Sequence, residues 1–334
     1  MITFANFRDN HYSRTKFSVL VLAVLLLITT GCTKTERVYR VGILVGAETM
    51  NAIGEGFKAE MTRRGYVEGR NIIYDVKSIY NDPSGGKAFA QQFVKNKVDM
   101  ILVFPGQSTR TVIKVANGSG IPIVFANAFI EGTGIVESVQ NPGDTITGVR
   151  NPGSSLIIKS LEFLLEFEPA PSRILVIYAP SYPTNPAIMK ELHRFKSTAG
   201  VELIELPVSG PSEVENSLKS VTDVDAIMLM PDTIPTTKKT IRTILNYADR
   251  HHIPVIGGPL PLLEEGTLLT INADYRNQGV LAASIADRIF KGIPAGTIPV
   301  ITPEEQLFIN YRKSRELGMK PSRGLLRQAK EIIK

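Results

Sequence analysis

Asn141-Pro-Gly-Asp-Thr-Ile-Thr-Gly-Val-Arg-Asn-Pro-Gly-Ser-Ser155 sets two Asn-Pro-Gly triplets around a short β-prone run, Thr145 to Val149. Proline fixes φ and glycine accepts a positive φ, so each triplet signals a turn. Strand-then-helix units run on both sides of the stretch, and neither series reads as an interruption of the other. The stretch is therefore expected to be a crossover between two α/β lobes, with function in the cleft between them.

Upstream, Arg40-Val-Gly-Ile-Leu-Val45 is a short apolar run ended by Gly46-Ala47, the pattern of a buried strand. Met50, Ile53, Phe57 and Met61 follow at spacings of three and four, the stripe of an amphipathic helix. Ile72 to Val76, Val98 to Phe104 and Pro122 to Phe125 are further strands, with helices after Asn81-Asp82-Pro83 and after Pro105-Gly106. Downstream, a helix over Leu156–Phe167 leads to strands at Ile174–Tyr178, Val201–Val208, Asp225–Met230 and Pro254–Gly258, again alternating with helices. Leu268 to Asp274 is a strand running into a helix with Leu281, Ile285 and Ile289, Ile298–Ile301 is β-prone, and a basic amphipathic helix is expected around Gly324–Ile333. Alternation of buried strands and helices argues for parallel sheets covered on both faces. In such sheets ligands bind beyond the carboxyl ends of the strands, where helix N-termini offer free N–H groups. Ala47–Thr49, Gly106–Thr109 and Asn127–Phe129 all fall at that edge.

The chain of 334 residues is long enough for two domains of about 150 residues each. Its net charge is +6, of which Arg8, Arg14 and Lys16 against Asp9 place +2 in the first 31 residues. No basic run or Lys/Arg-aromatic interleaving stands out in the remainder, which argues against a nucleic-acid partner. Arg14 and Lys16 precede an apolar run from Phe17 to Ile28, short of the ~20 residues that span a bilayer but suited to a signal peptide. Thr29-Thr30-Gly31 then runs into Cys32, the one cysteine in the chain, so no intrachain disulfide can form. This junction resembles a bacterial lipoprotein lipobox, which implies cleavage before Cys32 and lipidation of it; an ordinary secretory peptide or an uncleaved anchor remains the alternative.

Several segments, taken in order, resemble the ABC transporter substrate-binding family that includes tryptophan- and tyrosine-binding proteins. They are Gly56-Phe57 with Arg64-Gly-Tyr-Val-Glu-Gly-Arg-Asn71, Asn81-Asp-Pro83, Val98-Asp99, Ile121-Pro-Ile-Val-Phe125, Ile146-Thr-Gly148, Asp274-Tyr275 with Gly279, and Ile309-Asn310 with Leu317-Gly318. The resemblance covers nearly all of residues 39–334. It implies an α/β fold of two Rossmann-like lobes with parallel sheets joined by a three-strand hinge, the type I periplasmic-binding-protein fold. It also implies three crossings, near Gly148, Thr270 and Ile298. The expected organisation is a signal peptide over 1–31, a lipidated tether over 32–38, lobe one over 39–148 with 270–295 returning to it, and lobe two over 149–269 joined by 296–334. The chain departs from the family's usual pattern at Ala126-Asn-Ala-Phe-Ile-Glu131 and at Pro231-Asp232-Thr233. Both departures fall in ligand loops, where substrate identity is decided.

The resemblance implies an extracytoplasmic, membrane-anchored monomer in the cell envelope. It would capture a small polar ligand, an amino acid or related metabolite, and deliver it to an ABC permease and ATPase. No cofactor or metal is implied. Gly106, Gln107 and Ser108 open a helix whose N–H groups can bind an anion, although Ser108 is equally a plain N-cap. Asp274 is the ammonium partner by family position. Glu48, Asn127, Asp232 and Thr233 lie at strand ends, where Glu48 and Asp232 read equally as solvated or helix-capping acids, and Tyr182, Thr184 and Asn185 could close over the ligand from lobe two, Tyr182 reading equally as a surface aromatic. Against catalysis, there is no dinucleotide fingerprint after Val45 and no phosphate-binding loop. Past the signal segment the histidines are His193, His251 and His252, the last two reading as a helix C-terminal cap. A lipoprotein that reports its ligand to a membrane receptor would carry the same residues as one that feeds a permease.

Overall fold

The apolar runs upstream of the opening stretch become strands buried on both faces. In a computed structural model of the protein, residues 37–79, 83–232 and 237–334 are described. The segment before Arg37, with Cys32 and its surroundings, lies outside them, as do Asn81, Asp82 and Thr233. Strand β1 (Tyr39–Val45) is followed by helix α1 (Asn51–Arg63), β2 (Ile72–Ser78), α2 (Gly86–Lys95), β3 (Met100–Phe104), α3 (Gly106–Ala116), β4 (Ile123–Ala128) and β5 (Ile146–Arg150). They form a sheet of order β2-β1-β3-β4-β5, in which β1, β3, β4 and β5 pair in parallel. Every residue of β3 and β4 is buried, which is what strands without a polar alternation require. Phe93, Phe104 and Phe125 are completely buried in this lobe.

The second lobe repeats the alternation. It runs through α4 (Ser154–Leu164), β6 (Phe167–Glu168), β7 (Arg173–Tyr178), α5 (Asn185–Ala199), β8 (Glu202–Pro207), α6 (Pro211–Leu218), β9 (Ala226–Leu229), α7 (Lys238–His251), β10 (Val255–Gly257), α8 (Pro261–Glu265) and β11 (Leu269–Ala273). Helix α9 (Tyr275–Phe290), β12 (Glu305–Asn310), α10 (Tyr311–Glu316), β13 (Lys320–Pro321), α11 (Arg323–Gln328) and β14 (Ala329–Ile333) complete the chain. The second sheet has the order β14-β12-β11-β10-β9-β7-β8 and is parallel except where β12 runs against β11. Two apolar clusters cover its faces, one built on α4 and α5 and the other on α6 and α7. His252 closes α7 in the left-handed conformation (φ +53°), the cap that its position before Ile253-Pro254 suggests.

The tail differs from the helix expected over 324–333. Helix α11 stops at Gln328, and Ala329–Ile333 adds to the open edge of β12 in parallel, with Ile332 opposite Ile309 and Ile333 opposite Asn310. Two adjacent β-branched residues favour a strand, and an unpaired edge supplies the backbone partners that a short surface helix lacks.

Both Asn-Pro-Gly triplets form turns, with Gly143 at φ +81° and Gly153 at φ +71°. Gly148 between them is an ordinary strand residue. A Cβ there would sit 2.2 Å from the Phe125 carbonyl oxygen, so the glycine admits the close approach of β4. β5 runs to Arg150 and β11 to Ala273, each a little past Gly148 and Thr270. Residues 298–302 run beside β5: Ile301 N–H donates to Gly148 O (2.9 Å), Arg150 N–H donates to Ile301 O (2.9 Å), and the Thr147 hydroxyl donates to Ile298 O (2.7 Å).

After β11 the chain leaves the second sheet, and α9 packs on α1, β4 and β5 of the first lobe. The two helices meet through glycines. A Cβ on Gly279 would lie 2.0 Å from Ile53 O, and one on Gly56 would lie 2.1 Å from Arg276 O. Beyond this contact a polar cluster joins the same helices. Glu60 accepts from Arg63 (2.6 and 2.7 Å) and Arg64 (2.8 Å), and the Arg63 bonds hold its carboxyl below the usual range. Burial works against ionisation of Asp287, but donation from Lys291 (2.8 Å), Tyr66 (3.0 Å) and Arg64 (3.1 Å) outweighs it and lowers the carboxyl as well.

The glycine contact makes a direct test. Gly279→Ala should destabilise the protein by about 1–3 kcal/mol or more, because backbone must shift to admit the methyl group. Gly54→Ala on the same helix pair, where the nearest atom to a new Cβ is 3.9 Å away, should be neutral or stabilising by helix propensity. Thermal unfolding followed by circular dichroism would decide, and equal midpoints for the two variants would remove the contact from its structural role.

Candidate functional site

The carboxyl ends of β1, β3 and β4 present the first edge. Helix α3 starts at Gly106 with Pro105 at the N-cap and no side-chain cap, so its first N–H groups are not closed by a side chain. Ser108 lies inside the first turn and is buried, whereas Gln107 is exposed. The N-cap alternative for Ser108 is thus replaced by a position within the helix. Glu48 is exposed in a 3-10 turn, Glu48–Met50, that follows β1.

Asn127 sits where the β4–β5 register slips, between Ala126 opposite Val149 and Ala128 opposite Arg150. It takes φ +51°, a conformation asparagine tolerates better than most residues, and its side chain is buried. Its Oδ1 accepts from Asn151 Nδ2 (2.9 Å), and its Nδ2 approaches the Met50 sulfur (3.4 Å). Asn151 in turn accepts the Gly153 N–H (3.0 Å). Asn127 therefore ties the first edge to the turn that opens lobe two. Arg150 reinforces that corner through an ion pair with Glu131 and a bond to the Thr302 hydroxyl (2.8 Å).

The second edge is built on the loop between β7 and α5. Asp232, which follows β9, is buried and accepts the Ala179 N–H (2.9 Å) and Asn185 Nδ2 (2.7 Å). Asn185 Nδ2 also donates to Ala179 O (2.8 Å). These bonds fold the Ala179–Asn185 loop back over the end of β9, so Asp232 and Asn185 have a structural role whatever else they touch. The Thr184 hydroxyl and Asn185 Oδ1 are buried and have no hydrogen-bond partner among the described residues, which leaves polar capacity beside Tyr182. Tyr182 itself is half-buried. Burial pushes its phenol up from its ordinary value, the Arg110 guanidinium opposes that rise and the Asp232 carboxylate adds to it. Arg110 belongs to α3 of lobe one.

Asp274 stands at the crossing into α9. Its Oδ1 caps the helix by accepting from the N–H groups of Arg276 (2.8 Å) and Asn277 (3.3 Å). The residue is exposed, and its other oxygen accepts no bond among the described residues. Arg110 escaped the reading of the sequence. Its signal is a cation early in a helix, where the positive end of the dipole makes a positive charge unfavourable. Among the described residues no group of His, Cys, Asp and Glu side chains could hold a metal ion.

A family model described as ABC transporter substrate binding protein matches residues 40–333. A tyrosine-binding protein of Clostridioides difficile (strain R20291) is 26% identical over 291 residues, covering 86% of this chain and 83% of the relative. Among solved structures, an ABC domain in complex with L-Trp from Streptococcus pneumoniae superposes with a TM-score of 0.76 at 19% identity, covering 89% of this chain and all of that one. The ligand-free, open structure of a substrate binding protein with adhesive properties from Clostridium difficile gives 0.73 at 22% identity, covering 88% and 99%. The likeness to these structures shows the two-lobed fold.

The cap separates two contributions of Asp274. Asp274→Ala should cost about 0.5–2 kcal/mol of stability through the lost cap, and Asp274→Asn, which keeps an acceptor oxygen, should cost little. Differential scanning calorimetry of the ligand-free variants tests this, and identical melting for wild type and Asp274→Ala would discount the cap.

Proposed function

The chain belongs to the ABC transporter substrate-binding protein family, and on that premise we propose that it captures an amino acid in its cleft and delivers it to an ABC permease and its ATPase. Substrate-binding proteins of ABC transporters work outside the cytoplasm, and among the described residues no helix is long and apolar enough to cross a membrane. The observation that carries the amino-acid reading is the pairing of edges. The open N-terminus of α3 on lobe one suits a carboxylate, and the unpaired Asp274 oxygen at the crossing suits an ammonium. Tyr182, Thr184 and Asn185 would approach from lobe two, where the buried Thr184 hydroxyl and Asn185 Oδ1 lack partners among the described residues. Glu48, Gly106, Gln107, Ser108, Asn127, Asp232 and Thr233 remain proposed members or supports of the site. The printed names of the relatives, one tyrosine-binding and one in complex with L-Trp, support the same ligand class.

Magnitudes allow it. Two or three charged hydrogen bonds contribute roughly 3–9 kcal/mol. Burying ~150 Å² of apolar ligand adds about 4 kcal/mol. Association and ordering offset much of that, which leaves a dissociation constant near the micromolar level, about −8 kcal/mol. A ligand that needs groups from both lobes favours the closed arrangement, and closure is what a permease can read.

The membrane attachment belongs to this proposal too. Cys32, outside the described residues, follows a lipobox-like Thr29-Thr30-Gly31 and would carry the lipid that holds the protein, as a monomer, at the envelope.

Native mass spectrometry of freshly purified protein should find a co-purified amino acid, and a thermal-shift screen should single out the same compound. Asp274→Asn should then weaken it by at least about tenfold, the loss of one charged hydrogen bond. A screen of amino acids, nucleosides and small organic acids that shifts nothing would overturn the reading. For the anchor, Cys32→Ser should abolish labelling by a fatty-acid probe in the producing cell, and undiminished labelling would refute lipidation at that residue.

A further inference from the structure

Three arginines among the described residues are partly buried: Arg110, Arg150 and Arg173. Arg150 is paired with Glu131, and Arg173 is paired with Asp223 and Glu202. Arg110 has no ion pair or hydrogen bond to any described residue. A guanidinium carries five N–H donors in a planar fork and stays charged at any physiological pH, so a partly desolvated one without an acceptor has strong unmet bonding capacity.

Its place in the fold sets where that capacity is directed. Arg110 lies one turn into α3, after Gly106, Gln107 and Ser108. The Cα–Cβ bonds of a helix tilt toward its N-terminus, so a long side chain at this position leans toward the carboxyl edge of the first sheet. There its charge adds to the positive end of the helix. On lobe two, the Tyr182 phenol is the group whose ionisation the Arg110 charge favours. Beside Tyr182 lie the buried Thr184 hydroxyl and Asn185 Oδ1, which also lack partners. The carboxylate that holds this loop, Asp232, is engaged with Ala179 and Asn185 on its own lobe. Among the described residues, therefore, no anion pairs with the Arg110 charge.

We propose that Arg110 is the specificity-determining residue of the cleft, and that its guanidinium grips the carboxylate of the ligand in a forked pair of hydrogen bonds. This rests on the amino-acid reading above and deepens it. The α3 N–H groups orient the anion, Arg110 supplies the charge that distinguishes an acid from its amide, and closure against Tyr182 removes water from the pair. The cleft then selects free acids over carboxamides of the same shape.

Isothermal titration of the mature chain with each common L-amino acid, and with the α-carboxamide of every one that binds, tests this. The acid should bind wild type at least about tenfold more tightly than its amide, the worth of a charge-assisted pair. Arg110→Met should abolish the preference by weakening the acid alone, and Arg110→Lys should retain part of it. Equal melting temperatures of the variants would show that the fold is intact, as expected for a side chain without protein partners. Acid and amide binding wild type equally, or an acid preference undiminished in Arg110→Met, would overturn the role of Arg110 and leave the amino-acid site standing. Failure of wild type to bind any of the amino acids would overturn the site and the inference together.

Discussion

Two helices from opposite ends of the first lobe's sequence approach until neither can carry a side chain at the contact. Gly56 of α1 meets the Arg276 carbonyl and Gly279 of α9 meets the Ile53 carbonyl, each within a distance that a single methyl group would violate. Much of the architecture follows. Strand β11 belongs to the second sheet and α9 starts directly after it, so anchoring α9 on α1 fixes where the chain crosses between lobes. The polar cluster of Glu60, Arg64, Tyr66, Asp287 and Lys291 extends the same contact and sets its register along the helix axes. With that crossing fixed, Asp274 stands at the start of α9 as both helix cap and exposed acid.

Of the segments that link the lobes, the one that follows β5 and the one over 298–302 are bound to one another as well as to the first sheet. Residues 298–302 run along β5, Arg150 reaches both Glu131 and Thr302, and Asn127 holds Asn151. Segments tied in this way are the kind of element about which two lobes close by hinge bending. The edges are unlike. Lobe one offers helix N–H groups and Arg110, and lobe two offers neutral polar groups around a carboxylate that is already engaged.

Much of the fold was legible because its signals are local. Completely apolar runs such as Met100–Phe104 and Ile123–Phe125 gave buried strands, and both Asn-Pro-Gly triplets became turns with glycine at positive φ. Ala329–Ile333 misled because five residues cannot separate a helical stripe from a strand, and the open edge of β12 that decides the matter is set by tertiary structure. The interleaving of the lobes came only through a family resemblance, since periodicity does not say which sheet a helix covers. At the site, residue type pointed to loops but not to partners. Asp232 and Asn185 look like ligand contacts in sequence and prove to be bonded to one loop, whereas Arg110 looks like a solvated helix residue and proves to lack any partner among the described residues.

The first lobe lacks α9 until residue 290 has been made, and the second lacks β14 until residue 333 has. Neither lobe is a continuous stretch of chain, so neither can close its core on an N-terminal fragment in the way that sequential domains do during synthesis. The long-range pairing of β11 with β12 and of β12 with β14 adds slow, non-local contacts to that order. A nascent chain of this kind keeps both sheets incomplete or uncovered until the residues of α9 and β14 have emerged, long after β1 to β5 have been made.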